Sequence, residues 1–324
     1  GRFIMSEYAV LFPGQGSQNK NMLISYEKNE IFNEYIDRSS RILGYDIKKI
    51  VDDESKLNNT IYTQPVMVAT SLAIWKVWTN KINSMPKYAA GHSLGEYTAL
   101  VANGTLSLDD CLKVVTERAE FMVSAMTGVE GGMAAIVSNN LEINLSATVE
   151  SICQKLSNDK VFIQPVNYNS KNQVVIAGHK SLIESCESEF KAHGIKRVII
   201  LPVSVAAHSS IMNSCSDKLY KVLNNIDITE NNALFPILHN TDASIKNSKV
   251  DIINSLCAQV CNPVLWEKTI IKMFDDKISN YIEIGPGKVL AGLNNKILAG
   301  KDGVLTSSID KYEAISELAR KYDD

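Results

Sequence analysis

Lys87-Tyr88-Ala89-Ala90-Gly91-His92-Ser93-Leu94-Gly95-Glu96-Tyr97 starts as a short apolar strand, breaks at Gly91 and sets off almost at once as a helix. An apolar run of this kind, stopped by glycine, reads as a buried strand. Glycine on either side of Ser93, in a Gly-x-Ser-x-Gly pattern, permits a turn so tight that the hydroxyl stands exposed at the helix N-terminus. The helix dipole and free backbone N–H groups there favour a developing negative charge. The bare pattern is common by chance. Its place between a strand and a helix makes Ser93 the candidate nucleophile rather than a plain turn residue.

The same alternation runs outward in both directions. Residues 8–12 form a second buried strand, stopped by Pro13-Gly14, and helical periodicity through Ile31, Phe32, Tyr35, Ile36, Ile42 and Leu43 closes at Gly44. A longer helix is predicted over 64–80, with Pro65 in its first turn. Beyond the serine, a helix closes near Asn103-Gly104, and Ser107 with Asp110 makes a capping-box-like start for a helix to about residue 126. After His208 come a helix, a strand near 234–239, a helix over 250–260 and a strand over 281–284, which ends at Gly285-Pro286-Gly287 before a further helix. Strands alternating with helices predict an α/β fold with a mostly parallel sheet covered on both faces.

Between 131 and 203 the rhythm changes. A strand over 132–137, a helix over 148–156, strands over 161–168 and 173–177, a helix over 181–193 capped by Gly194, and a strand over 196–203 follow one another. The two middle strands are joined by a turn at 169–172, in which Asn172 tolerates the positive φ that such turns demand. The order βαββαβ is that of a ferredoxin-like unit. The expected organisation is a large α/β catalytic subdomain, 5–130 and 204–324, with a hydrolase-like sheet core, into which a small ferredoxin-like subdomain, 131–203, is inserted.

Composition narrows the function. The 324 residues carry 33 Lys plus Arg against 36 Asp plus Glu, a net charge of −3, which argues against nucleic acid held by bulk charge. Hydrophobic residues at 45% and charged ones at 21% suit a globular chain, and no apolar run is long enough to span a membrane. Six scattered cysteines make no disulfide framework, and Cys257 and Cys261 lack zinc-ligand spacing, so no metal is expected and the chain reads as reduced and cytoplasmic. Gly1-Arg2-Phe3-Ile4 before Met5 reads as a cloning remnant without a secretory signal.

A serine nucleophile needs a base. His92 adjoins Ser93 and should point elsewhere, His179 follows a strand at the surface, His193 ends a helix, and His239 ends a strand. His208, in the loop that re-enters the main body, is the best candidate, against a satisfied structural histidine. In an α/β-hydrolase the histidine falls near the C-terminus, which His239 does not. Arg118 shares the apolar helical stripe of Cys111, Val115 and Met122. Periodicity leaves two readings for it, a structural ion pair or a carboxylate-binding site. The loop Pro13-Gly14-Gln15-Gly16-Ser17-Gln18 has Asn19 where a dinucleotide fingerprint needs its third glycine. It suits a loop that brings backbone N–H groups to a second site.

Six ordered segments resemble the malonyl-CoA:acyl carrier protein transacylases of fatty acid synthesis, over about 8–296. They are Phe12-Pro13-Gly14-Gln15-Gly16-Ser17-Gln18, Gly91-His92-Ser93-Leu94-Gly95-Glu96-Tyr97, Pro165-Val166-Asn167-Tyr168-Asn169, Gln173-Val174-Val175-Ile176-Ala177-Gly178, Asn262-Pro263-Val264-Leu265-Trp266 and Glu283-Ile284-Gly285-Pro286-Gly287. The resemblance implies a ping-pong transfer in which Ser93 carries the malonyl ester and His208 is base and then acid. It implies that the backbone carbonyl of Gln259 orients His208, and that the N–H groups of Gln15 and Leu94 form an oxyanion hole. Arg118 would bind the malonyl carboxylate, with Gln64 and Asn169 lining the pocket. Lys196-Arg197 would meet the acidic carrier protein or the phosphates of coenzyme A near the entrance. Malonyl-CoA and holo-acyl carrier protein are the implied partners, with no resident cofactor and a monomeric chain. Rival readings are a serine thioesterase or hydrolase, a stand-alone polyketide-type acyltransferase, and a non-catalytic module that docks carrier protein. The chain departs from the family pattern at Ala119, where glycine is usual, at Ala206-Ala207, where Pro-Ser is frequent, and at Lys171-Asn172, where a Pro-Gly turn is usual. The second departure bears on selectivity for the acyl group.

Overall fold

The computed structural model describes residues 7–322; the proposed remnant 1–4, the start at Met5 and the last two residues lie outside the described residues. The first sheet is built from β1 (Tyr8–Phe12), β2 (Tyr88–Gly91), β7 (Asn280–Glu283) and β8 (Leu305–Ser308), in the order β2–β1–β7–β8. Every neighbouring pair in it is parallel. Alternation along β1 shows why it is covered on both sides. Tyr8, Val10 and Phe12 face one apolar cluster, which includes Trp78, while Ala9 and Leu11 face another, which includes Trp266.

The second sheet is antiparallel and uses the intervening chain: β3 (Gly131–Val137), β4 (Ile163–Ser170), β5 (Gln173–His179) and β6 (Arg197–Ile200), in the order β4–β5–β3–β6. One face packs Ala134, Ile136, Val174 and Ile176 against the helix Leu145–Leu156 and its neighbours. The other buries Met133, Ala135, Val166 and Val175 together with Ala206, on the segment that returns to the first sheet. The register puts Gly91, the last residue of β2, level with Phe12, so the loop after β1 and the turn after β2 emerge side by side.

Several sequence expectations need correction. The helix expected over 64–80 is Thr60–Lys81, with Asn59 as N-cap accepting from Ile61 N–H, so Pro65 lies inside the helix and not in its first turn. The strand expected near 234–239 is reduced to one bridge between Ala89 and Ile237. Pro236 has no N–H to give, and Leu234 N–H goes instead to the Asn103 carbonyl. The helix expected over 181–193 is two short ones, Lys180–Ser185 and Glu187–Ala192, parted at Cys186. Asn172 is not among the residues with positive φ; a register shift between Tyr168 and Ser170 bends the hairpin instead. The sequence pattern does not predict β8 or the helices Trp266–Asp275 and Tyr312–Tyr322. No helix among the described residues is long and apolar enough to cross a membrane.

Candidate active site

Between β2 and the helix Gly95–Ala102 the chain turns through Ser93, which has φ +54°. A non-glycine residue held there costs about 1–3 kcal/mol, which the surroundings must offset. Close packing makes the turn: a Cβ on Gly91 would lie 1.8 Å from the Gly95 carbonyl carbon, and one on Gly95 would lie 2.1 Å from the Phe12 oxygen. Asn240 holds it from behind. Its Oδ1 accepts from Ser93 N–H at 2.8 Å, and its Nδ2 donates to the Gly91 carbonyl at 2.7 Å. Asn240 is itself fixed by its own N–H, which donates to Glu96 Oε1 at 2.6 Å. Sequence reasoning missed Asn240. It follows a segment that pairs as a strand only at one bridge, and a buried asparagine leaves no periodic signal.

His208 lies on the chain returning from the second sheet, with φ +65° and 3% exposure. Its Nε2 is 2.7 Å from Ser93 Oγ, and its Nδ1 is 2.6 Å from the Gln259 carbonyl oxygen. A carbonyl only accepts, so Nδ1 carries the proton and Nε2 is left to accept from the serine hydroxyl. Burial first, and then the Arg118 charge, push the His208 pKa down to about 3. The imidazole is therefore neutral and able to take a proton at ordinary pH. Nδ1 meets a main-chain carbonyl where a triad would place a carboxylate.

Arg118 is buried in the helix Leu108–Ala125. Its Nη1 donates to Gln64 Oε1 at 2.8 Å and its Nη2 to Gln259 Oε1 at 3.1 Å, while Nε has no partner and the group lies 5.4 Å over the Tyr97 ring. Among the described residues it makes no ion pair. A cation taken from water without a counter-charge is costly, so this position suits an incoming anion, and the structural ion pair is not formed.

Gln64 and Gln259 meet at the Arg118 guanidinium. The N–H groups of Gln15 and Leu94 have no hydrogen-bond partner among the described residues. The glycine loop packs on the turn, where a Cβ on Gly14 would sit 2.5 Å from the His92 oxygen. His92 points across to the second sheet, its Nε2 2.8 Å from Asn169 Oδ1, and burial lowers its pKa. Asn169 also donates to Gln173 Oε1 at 2.8 Å, so both ends of its amide are engaged. Lys196 and Arg197 are exposed at the head of β6, an edge strand. The described residues contain no cluster of three or more His, Cys, Asp or Glu side chains able to hold a metal ion.

Known proteins resemble the chain over nearly its whole length. The sequence profile of the acyl transferase domain matches residues 10–321. Curated relatives include the malonyl CoA-acyl carrier protein transacylases of Salmonella typhimurium and Escherichia coli, each 36% identical over 96% of this chain and 98% of their own. The solved malonyl CoA-acyl carrier protein transacylase of Coxiella burnetii superimposes with a TM-score of 0.92 at 31% identity, covering 100% of both chains. A malonyl-transacylase solved in complex with its type II polyketide acyl carrier protein gives 0.90 at 34% identity, covering 97% of this chain and 99% of that one.

Proposed function

The chain belongs to the acyl transferase domain family, and on that premise we propose that it loads malonyl groups through an ester on Ser93. It is an acyltransferase that moves malonyl from malonyl-CoA to acyl carrier protein. The observation that carries the residue roles is a buried guanidinium without a carboxylate partner, joined through Gln259 to the Ser93–His208 pair.

In the first half-reaction Ser93 Oγ attacks the thioester carbonyl and its proton passes to His208 Nε2. The tetrahedral oxyanion accepts from the N–H groups of Leu94 and Gln15. Collapse breaks the C–S bond, and the departing coenzyme A thiolate takes the proton from His208. In the second half the phosphopantetheine thiol of the carrier gives its proton to His208 and attacks the ester carbonyl; collapse breaks the C–O bond, and Ser93 Oγ takes the proton back from His208 Nε2. Arg118 holds the free malonyl carboxylate bidentately, beside Gln64 and Asn169. Nucleophile, base and oxyanion donors all come from the chain, so no resident cofactor is assigned. The exposed Lys196 and Arg197 are read as the basic ground for the carrier or for coenzyme A phosphates.

The strand–Ser93–helix turn supports a hydrolase-like body, 5–130 and 204–324. The order βαββαβ with antiparallel pairing supports a ferredoxin-like subdomain over 131–203. Six free cysteines support work in the reducing cytoplasm, and the chain is read as a monomer.

Intact mass after brief exposure to malonyl-CoA tests the mechanism, beside a Ser93→Ala control. A Ser93-dependent malonyl adduct that discharges onto holo-carrier protein is expected. An adduct that decays equally fast without carrier would make the protein a hydrolase, and no adduct at all would sink the reading.

A further inference from the structure

Gln259 is completely buried at the last turn of the helix Lys249–Gln259 and faces the site in three directions. Its carbonyl takes His208 Nδ1–H at 2.6 Å, and its side-chain Oε1 takes Arg118 Nη2–H at 3.1 Å. Its Nε2 donates to the Ser93 carbonyl at 2.7 Å and lies 3.3 Å from Asn240 Oδ1. The third direction has no part in the proposed acyl transfer.

We infer that the Gln259 side-chain amide is a positioning residue of the oxyanion hole, aiming the Leu94 N–H through the Ser93–Leu94 peptide and tying that peptide to Arg118. The inference rests on the proposed roles of Ser93 as nucleophile and Leu94 N–H as oxyanion donor.

A trans peptide is planar, with its C=O and N–H pointing in opposite directions, and the described chain has no cis bond. The Ser93 carbonyl is pinned by Gln259 Nε2 and by Glu96 N–H at 3.0 Å. The other edge of the same peptide, Leu94 N–H, is therefore fixed in direction and is left without a partner. Ser93 N–H cannot serve in its place, because Asn240 Oδ1 already holds it. Dipoles add along this path. The guanidinium draws on Oε1, the amide nitrogen becomes a stronger donor, and the peptide it bonds presents a more polar N–H to the reacting carbonyl. One planar group must accept at one end and donate at the other, which glutamine does and glutamate does not.

The test uses the full chain with Gln259→Ala and Gln259→Met, the second keeping most of the side-chain volume. Transfer from malonyl-CoA and from acetyl-CoA is followed for kcat, KM and pH dependence, beside thermal melting. Either variant should lose about 10-fold or more in kcat with both donors, short of the ~100–1,000-fold that follows loss of an oxyanion donor. The acid midpoint of the pH profile should stay in place, because the bond to His208 is made by the main chain. A loss confined to malonyl would show that Gln259 acts only through Arg118, and a displaced midpoint would show that it acts through His208; either overturns the inference. If Gln259→Ala melts early, the kinetics of the Met variant decide. A native protein that forms no malonyl adduct on Ser93 removes the functional reading itself, whereas a native protein that does so and variants that match it remove only this inference.

Discussion

Arg118 and His208 repel each other's charge while sharing one support. Both bond Gln259, and the guanidinium is the second cause, after burial, of the low His208 pKa. A base with a pKa of about 3 instead of 6.5 is neutral in the fold and protonated in the unfolded chain between those values. The unfolded state then binds more protons, so His208 makes the fold less stable as pH falls from about 6.5 towards about 3. Activity should persist down the same range, since Nε2 stays free to accept. Arg118→Ala removes the proposed bidentate partner of the malonyl carboxylate and one of the two main pressures on the imidazole. The expected outcome is loss of the preference for malonyl over acetyl by about 10-fold or more, with the acid limb of kcat/KM for acetyl moved to higher pH. Rates with both donors between pH ~4 and ~8 check it. Retained malonyl preference would remove Arg118 from carboxylate recognition.

Elements differ in how openly the sequence shows them, and burial geometry accounts for the difference. β1 and β2 are legible because both are short apolar runs stopped by glycine, and the Ser93 turn because its glycines are required by contact. The helix Thr60–Lys81 is buried nearly all round from Thr63 to Trp78, so it has no polar face to mark its start, and its polar first residues read as loop. β8 reads Leu305-Thr306-Ser307-Ser308 at the sheet edge, half exposed, with no apolar run to find. Ser93, His208 and Arg118 can be singled out by pattern, whereas Asn240 and the Gln259 side chain act through contacts between distant segments. The junction after β7 shows a further property of an element that no motif reveals. Glu283 is fully buried there, its Oε1 accepts from Ala291 N–H at 2.9 Å at the start of the helix Val289–Ile297, and Oε2 has no partner. Burial lifts its pKa from 4.5 to about 8. The folded state keeps a proton that the unfolded chain gives up, so this contribution is whole below pH ~4.5 and lost as pH rises through about 8. Glu283→Gln, neutral throughout, should flatten the decline in melting temperature between pH ~4.5 and ~8. An identical decline in both proteins would mean that Glu283 is not its source.

Across the whole molecule, Ser93 and His208 arrive on different passages of chain, and one strand of the second sheet braces both. Asn169, in β4, bonds His92 next to Ser93. Gln164, earlier in β4, accepts Ser210 N–H at 2.8 Å and donates to Ser210 Oγ at 3.1 Å, two residues past His208. Between them Val166 and Tyr168 exchange backbone hydrogen bonds with Val264, at 2.8 and 2.9 Å, beyond the Gln259 helix. The distance between Ser93 and His208 is thus set by how the two sheets meet, not by either sheet alone. Arg118 lies outside this brace, on a helix packed against the first sheet's side of the molecule. Gln164→Ala cuts two half-buried hydrogen bonds, a cost of about 1–2 kcal/mol, and leaves Arg118 and its partners untouched. The expected result is a several-fold fall in kcat with KM for malonyl-CoA nearly constant, while the melting temperature drops by only about 2–4 °C. Steady-state kinetics and a melting curve on the same preparation decide it. A raised KM with unchanged kcat would place Gln164 at substrate binding, and unchanged kinetics would show that the first sheet holds the dyad by itself.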